Sequence, residues 1–91
     1  MNKYLVEFLG TMFLTFTIFA TGNWLAIGSA LAIAALLGGP ISQGAYNPAV
    51  AIALYQANRI PKKDLLPYIV VEILGALFAF YLFKKFVYKS L

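Results

Sequence analysis

The sequence predicts an all-α membrane protein with three transmembrane helices and one short re-entrant half-helix. Three observations carry that prediction. Hydrophobic residues make up 63% of the 91 and charged residues 11%, far from the balance of a soluble fold. Three apolar stretches, each near the ~20 residues that a spanning helix needs, can be cut from the chain. Between the second and third lies "GAYNPAVAIALYQANRIP", residues 44 to 61, where an Asn-Pro pair precedes a helix-permissive run too short to cross a bilayer.

The first span is read as Tyr4 to Thr21 (YLVEFLGTMFLTFTIFAT). It is not a cleaved signal peptide on this reading, because the run is longer than a usual signal core, holds Glu7 and lacks a small-x-small cleavage site. The second, Trp24 to Gly38 (WLAIGSALAIAALLG), is short and is expected to end in the Gly38-Gly39-Pro40 break. The third is Leu66 to Phe83 (LPYIVVEILGALFAFYLF). There is no internal repeat or long linker, so residues 1–91 form a single unit.

The interruption occupies about residues 40–57. Asn47 is a favoured N-cap and Pro48 suits the first helical position, where a missing N–H costs nothing. From Pro48 to Ala57 the helix would cover only ~15 Å, half of a ~30 Å hydrocarbon core. The run from Asn58 to Asp64 then reads as a return to the polar surface. Upstream, Pro40 to Tyr46 reads as a loop, and loop backbone at membrane depth survives only when buried in protein or lining a watery cavity. Two placements remain open, an interfacial loop with an ordinary Asn-Pro turn and a re-entrant dip to the midplane; the re-entrant one is the more economical.

The chain has no cysteine and no histidine, which removes disulfides, thiolate sites and the commonest general base and metal ligand. No metal, cofactor or catalysed reaction is expected. Seven Lys and Arg against three acids give a net charge of +4. These basic residues flank the spans, at Lys3, at Arg59, Lys62 and Lys63, and at Lys84, Lys85 and Lys89, so they read as membrane-surface anchors and not as a nucleic-acid patch.

"GGPISQGAYNPAV", with "EFLGT" in the first span and "PYIVVEILGALFA" in the third, resembles the aquaporin, or major intrinsic protein, family across nearly the whole chain. Members of that family carry six spans and two Asn-Pro-Ala half-helices in inverted repeats, so this chain resembles one repeat, a half-aquaporin. The resemblance implies a pore only when two such units meet antiparallel into a six-helix structure. The basic residues allow it: with three spans and a re-entrant loop, Lys3, Arg59, Lys62 and Lys63 fall on one face and Lys84, Lys85 and Lys89 on the other, four against three. So small an excess does not orient a chain, and dual topology with an antiparallel homodimer is expected. The opposing reading is that Lys3 beside the amino terminus dominates and all chains point one way.

The same resemblance implies a passive channel for water or small uncharged solutes, with Asn47, Pro48 and Ala49 at the midplane. Asn47 would donate from its side-chain amide, while the carbonyls of Gln43, Gly44, Ala45 and Tyr46 accept on the way in. Two half-helix N-termini, each worth roughly +0.5 elementary charge, would repel cations there. By position relative to the motif asparagine, the selectivity constriction falls on Ile27, Ala35, Gly44 and Val50. Most relatives hold an arginine in their second repeat where Val50 stands, so the mouths should be apolar and uncharged, admitting glycerol, urea, ammonia or hydrogen peroxide as well as water. Gln43 also departs, standing where a glycine is usual.

Glu7 matches the family's first-helix glutamate, which supports the re-entrant loop. Glu72 stands where the first repeat commonly has glutamine. Both are read as structural, since buried carboxylates must be paired or protonated. Ala26, Ala30, Ala34 and Gly38, and likewise Gly75 and Ala79, repeat every four residues and read as packing faces. Trp24, Tyr4, Tyr68, Tyr81 and Tyr88 read mostly as interfacial anchors, and Tyr46 as a residue that packs the loop.

An octamer of four dimers and a plasma-membrane location follow from the resemblance alone. The rival from another class is a proton-coupled transporter resembling small multidrug-resistance proteins, also dual-topology, working through Glu7. A third is a small structural or pore-disrupting membrane peptide, which would form no specific oligomer.

Overall fold

A computed structural model describes residues 1–88 as four helices: α1 (Lys3–Thr21), α2 (Trp24–Ser42), α3 (Pro48–Gln56) and α4 (Lys62–Phe86). α1, α2 and α4 are long and apolar enough to cross a membrane, whereas α3, with nine residues, reaches only ~14 Å. Lys89 lies outside the described residues.

Asparagine opens three of the four helices. Asn2 Oδ1 accepts from the backbone N–H groups of Tyr4 (2.7 Å) and Leu5 (3.2 Å). Asn23 does the same for Leu25 (3.0 Å) and Ala26 (2.9 Å), and Asn47 starts α3. Each cap satisfies donors that the first turn would otherwise leave orphaned. Gly22 closes α1 in a left-handed conformation (φ 54°), a C-terminal stop that glycine adopts without penalty. Gly22 and Asn23 together thus make a two-residue reversal between the first two spans.

The second span does not end at Gly38-Gly39-Pro40. α2 continues through Pro40 to Ser42, so the loop begins at Gln43. Proline removes the N–H that would bond the Leu36 carbonyl, yet the turn beyond it is held from outside. Ser42 is 1% exposed; its hydroxyl donates to Glu7 Oε2 (2.6 Å) and its carbonyl accepts from the Tyr68 hydroxyl (2.7 Å). Tertiary bonds at Ser42 override the local break. The third span likewise begins at Lys62, ahead of the Leu66 expected from hydropathy, and carries Pro67 inside it. Its first turn is fixed by Asp64, which is fully buried and bonded to Lys3 Nζ and the Tyr4 hydroxyl of α1.

α1 is the central helix. It packs against α4 on one side and α2 on the other, while α3 rests on α4. The closest approach is at Gly75, where an added Cβ would lie 2.6 Å from the Phe8 carbonyl oxygen; Ala79 is wholly buried one turn further on. Small residues let the backbones meet, as they do between membrane helices. Phe8–Phe78 and Phe19–Phe83 rings, 6.1 and 5.5 Å apart, extend that seam. Ala30, Ala34 and Gly38 are buried on α2, so both small-residue stripes are packing faces. Large apolar side chains such as Trp24, Leu36, Leu37 and Leu77 point outward, which suits lipid or a partner chain as their surroundings.

Candidate functional site

Glu7 organises the loop. It is fully buried, and its carboxylate is met by three donors: the Tyr46 N–H at Oε1 (2.8 Å), and the Ala45 N–H (3.1 Å) and Ser42 hydroxyl (2.6 Å) at Oε2. The Gly44 N–H bonds the Ser42 Oγ at 3.2 Å. One side chain of α1 thus pins the backbone of Ala45 and Tyr46 against the helix bundle, and through Ser42 it steadies Gly44.

Such inward-facing N–H groups require an unusual backbone. Gln43 (φ 74°), Gly44 (φ 63°) and Tyr46 (φ 53°) are all left-handed, and only the glycine adopts that region freely. With the Ala45 and Tyr46 N–H groups turned toward Glu7 and that of Gly44 toward Ser42, no hydrogen bond among the described residues ends on the carbonyl oxygens of Gln43, Gly44, Ala45 or Tyr46. Gln43 closes α2 in its left-handed conformation, its N–H bonding the Gly39 carbonyl, and its side chain is exposed.

Tyr46 is the wedge that holds the strained segment in place. It is 4% exposed, and its hydroxyl donates to the Ala34 carbonyl at 2.6 Å. The ring fills the space left by two absent side chains, since a Cβ at Gly10 or at Gly38 would overlap it. Gly38 is therefore more than a member of a small stripe: it is the floor under this ring. Tyr46 does pack the loop.

At the end of the loop Asn47 is exposed and caps α3, its Oδ1 accepting from the N–H groups of Ala49 (2.7 Å) and Val50 (3.4 Å). With the oxygen committed to the cap, the Nδ2 amide is left as an outward donor. Pro48 takes the first helical position, half-buried, and Ala49 beside it is exposed. Val50 is 42% exposed in the first turn.

The remaining sequence-read positions do not gather at one point within a single chain. Ile27 is half-buried and Ala35 exposed on α2, eight residues apart along the helix, which is ~12 Å; Gly44 is half-buried in the loop. α2 and α3 do not pack against each other. Glu72 lies on α4, 1% exposed.

Two residues depart from the reading given to them. Tyr68 was expected at the membrane interface, but it is 1% exposed and donates to the Ser42 carbonyl, its ring set edge-on against Tyr4 at 6.0 Å. A buried hydroxyl with a carbonyl partner has no need of headgroup water. Asp64 was placed on the polar surface, yet it is buried in the pair with Lys3. The available signal was an acid in the first turn after two lysines, which favours a helix N-terminus without naming a partner.

Three helices long and apolar enough to cross a membrane, with a buried carboxylate holding the loop that leads into a short Asn-Pro-Ala helix, define an integral membrane chain consistent with the architecture of a single aquaporin repeat. The family model for "Major intrinsic protein" matches residues 22–91, and the chain belongs to that family. It is 42% identical to the glycerol uptake facilitator protein-like 6 of Lactiplantibacillus plantarum, over 96% of this chain and 44% of that protein. It is 39% identical to aquaporin Z of Brucella melitensis biotype 1, over 87% of this chain and 41% of the relative. With aquaporin AqpM of Methanothermobacter thermautotrophicus it shares 44% identity over 70% of the chain and 28% of the relative. The chain thus spans less than half the length of these relatives. No solved structure matches it significantly.

Proposed function

We propose that the chain forms half of a passive channel for water and small uncharged solutes, completed by a second copy inserted the other way up. The observation that carries the proposal is Asn47: its side-chain oxygen is bound into the α3 cap, its amide faces outward, and the half-helix behind it extends only ~14 Å. A half-helix that stops near the midplane calls for an opposed one. Residues 44–46 add to the support, because the N–H groups of Ala45 and Tyr46 are held by Glu7 and that of Gly44 by Ser42, and their carbonyls are free to accept from a passing solute.

Two copies would bring two Asn47 amides and two α3 N-termini together, a positive midplane that opposes cations and protons. Ile27, Ala35, Gly44 and Val50 from each copy would form identical, uncharged mouths, wider than a strict water filter. The names of the relatives, a glycerol facilitator and aquaporins, agree with that solute class. The nearly even distribution of basic residues supports insertion in both orientations, and four such pairs would make an octamer in the plasma membrane. Glu7 does not behave as a carrier's exposed proton site: it is fully buried, with both oxygens occupied by the loop.

Stopped-flow light scattering on vesicles containing only this chain tests the proposal. Rapid water and glycerol equilibration is expected, weakened by Asn47→Asp, which puts a charge at the midplane, and by Ile27→Trp, which narrows the mouth. Vesicles that respond like empty lipid despite confirmed insertion would refute it.

A further inference from the structure

A groove of about 340 Å³ lies between α1 and α2, with Tyr46 at its floor. Leu9 and Phe13 form one wall and Ile33, Leu37 and Ile41 the other, all five exposed. Ile33 and Ile41 are eight residues apart along α2, ~12 Å, so the groove is a slot running along two helices of membrane-crossing length. Its one polar side-chain group, the Tyr46 hydroxyl, is already given to the Ala34 carbonyl. An apolar space of this kind stays dry, and one of about 150 Å³ is enough to admit benzene.

In a bilayer the occupant is either a helix of another copy or the acyl chain of a lipid. Membrane helices pack closely where small residues expose the backbone. Here the two glycines of the groove, Gly10 and Gly38, are covered by the Tyr46 ring, which a Cβ at either position would overlap. The Leu, Ile and Phe walls hold a second helix off and leave room for a thin, flexible chain. Charge separates the two occupants further. The Ile41 end of the groove lies at the start of α1, the face on which α4 also begins, since Lys3 is paired with Asp64. That face carries Arg59, Lys62 and Lys63, all exposed and none in an ion pair among the described residues. The three acids of the chain, Glu7, Asp64 and Glu72, are buried. A second copy therefore has no exposed acidic side chain to set against these cations, whereas a lipid phosphate carries the complementary charge.

We propose that the groove is a phospholipid site, with an acyl chain lying along Leu37 against the Tyr46 ring and the phosphate at the end that carries Arg59, Lys62 and Lys63. The bound chain acts on the loop through Tyr46. This residue is left-handed (φ 53°), its N–H is held by Glu7, and its ring is what the lipid chain covers. Pressing the ring onto Gly10 and Gly38 braces the segment that leads to Asn47. The lipid is thereby a structural ligand of the loop.

Photolabelling in bilayers tests the site, with a phosphatidylglycerol that carries a diazirine in its acyl chain and peptide mapping of the label. Leu9, Leu37 and Ile41 are expected to take several-fold more label than Leu74 and Leu77, which are exposed on α4. The excess should shrink several-fold for a diacylglycerol of the same chains, which lacks the phosphate, and in the combined variant Arg59→Gln, Lys62→Gln and Lys63→Gln. Equal labelling of the groove and of α4 would mean boundary lipid only and would overturn the proposal. An unlabelled groove, with copies of Leu37→Cys cross-linked to one another, would give the place to a second copy and overturn it equally. Labelling that ignores the phosphate and the three cations would refute the headgroup half. For the loop, adding phosphatidylglycerol to the chain in detergent should slow hydrogen exchange at the Ala45 and Tyr46 amides several-fold; unchanged exchange in a labelled groove would refute the bracing. None of these readouts requires the chain to conduct, so failure of the channel reading is distinguishable from failure of the lipid site.

Discussion

Tyr46 shows how much of the candidate site depends on residues that are not there. Its left-handed backbone would be unfavourable alone, and its ring is accepted only because positions 10 and 38 carry no Cβ. Gly38→Val should therefore displace the ring and destabilise the folded chain by about 1–3 kcal/mol, the usual range for overpacking, whereas Tyr46→Phe, which loses one bond to Ala34, should lose about 1 kcal/mol. Thermal unfolding in detergent or lipid separates the two. Glu7→Gln keeps the shape but replaces a charge-assisted acceptor of three donors by a neutral amide, and one donor is left facing an NH2 group. A loss of about 3 kcal/mol is expected, together with faster hydrogen exchange at Ala45 and Tyr46; unchanged protection at those two amides would mean that Glu7 does not hold the loop.

At the scale of the helices, the half-helix was legible because its signals are local. Asn47 and Pro48 announce a helix start from two adjacent residues, and the structure places the cap there. Pro40 misleads for the opposite reason: its effect depends on Ser42, whose partners Glu7 and Tyr68 lie 35 and 26 residues away. Asp64 and Tyr68 were misplaced because lipid is as apolar as a protein core, so hydropathy separates membrane from water but not helix interface from lipid. Small-residue spacing does report that interface, and it located Gly75 and Ala79 correctly. Gly75→Leu should accordingly separate α1 from α4, since even a single Cβ would stand 2.6 Å from the Phe8 carbonyl. The expected outcome is loss of the folded species in a trypsin-protection assay, with Gly28→Leu, whose Cβ would meet nothing within 4 Å, unaffected.

For the whole molecule, the chain builds one complete repeat interior, with α1 between α2 and α4, and leaves α3 supported on one side only. Exposed Val50 and Ile52 on that half-helix, and Asn47 at its tip, are surfaces that make sense against a second unit. The relatives it matches are more than twice as long over their full chains, in keeping with two such units per pore. Opposed insertion of copies of this chain is the claim on which the channel depends. Because there is no native cysteine, Asn58→Cys between α3 and α4 provides a single reporter of orientation. Labelling it in sealed vesicles with a membrane-impermeant maleimide, before and after permeabilisation, should modify about half of the chains from outside, as a nearly balanced distribution of basic residues requires. Modification of all chains, or of none until the membrane is opened, would mean a single orientation and would contradict the antiparallel pore.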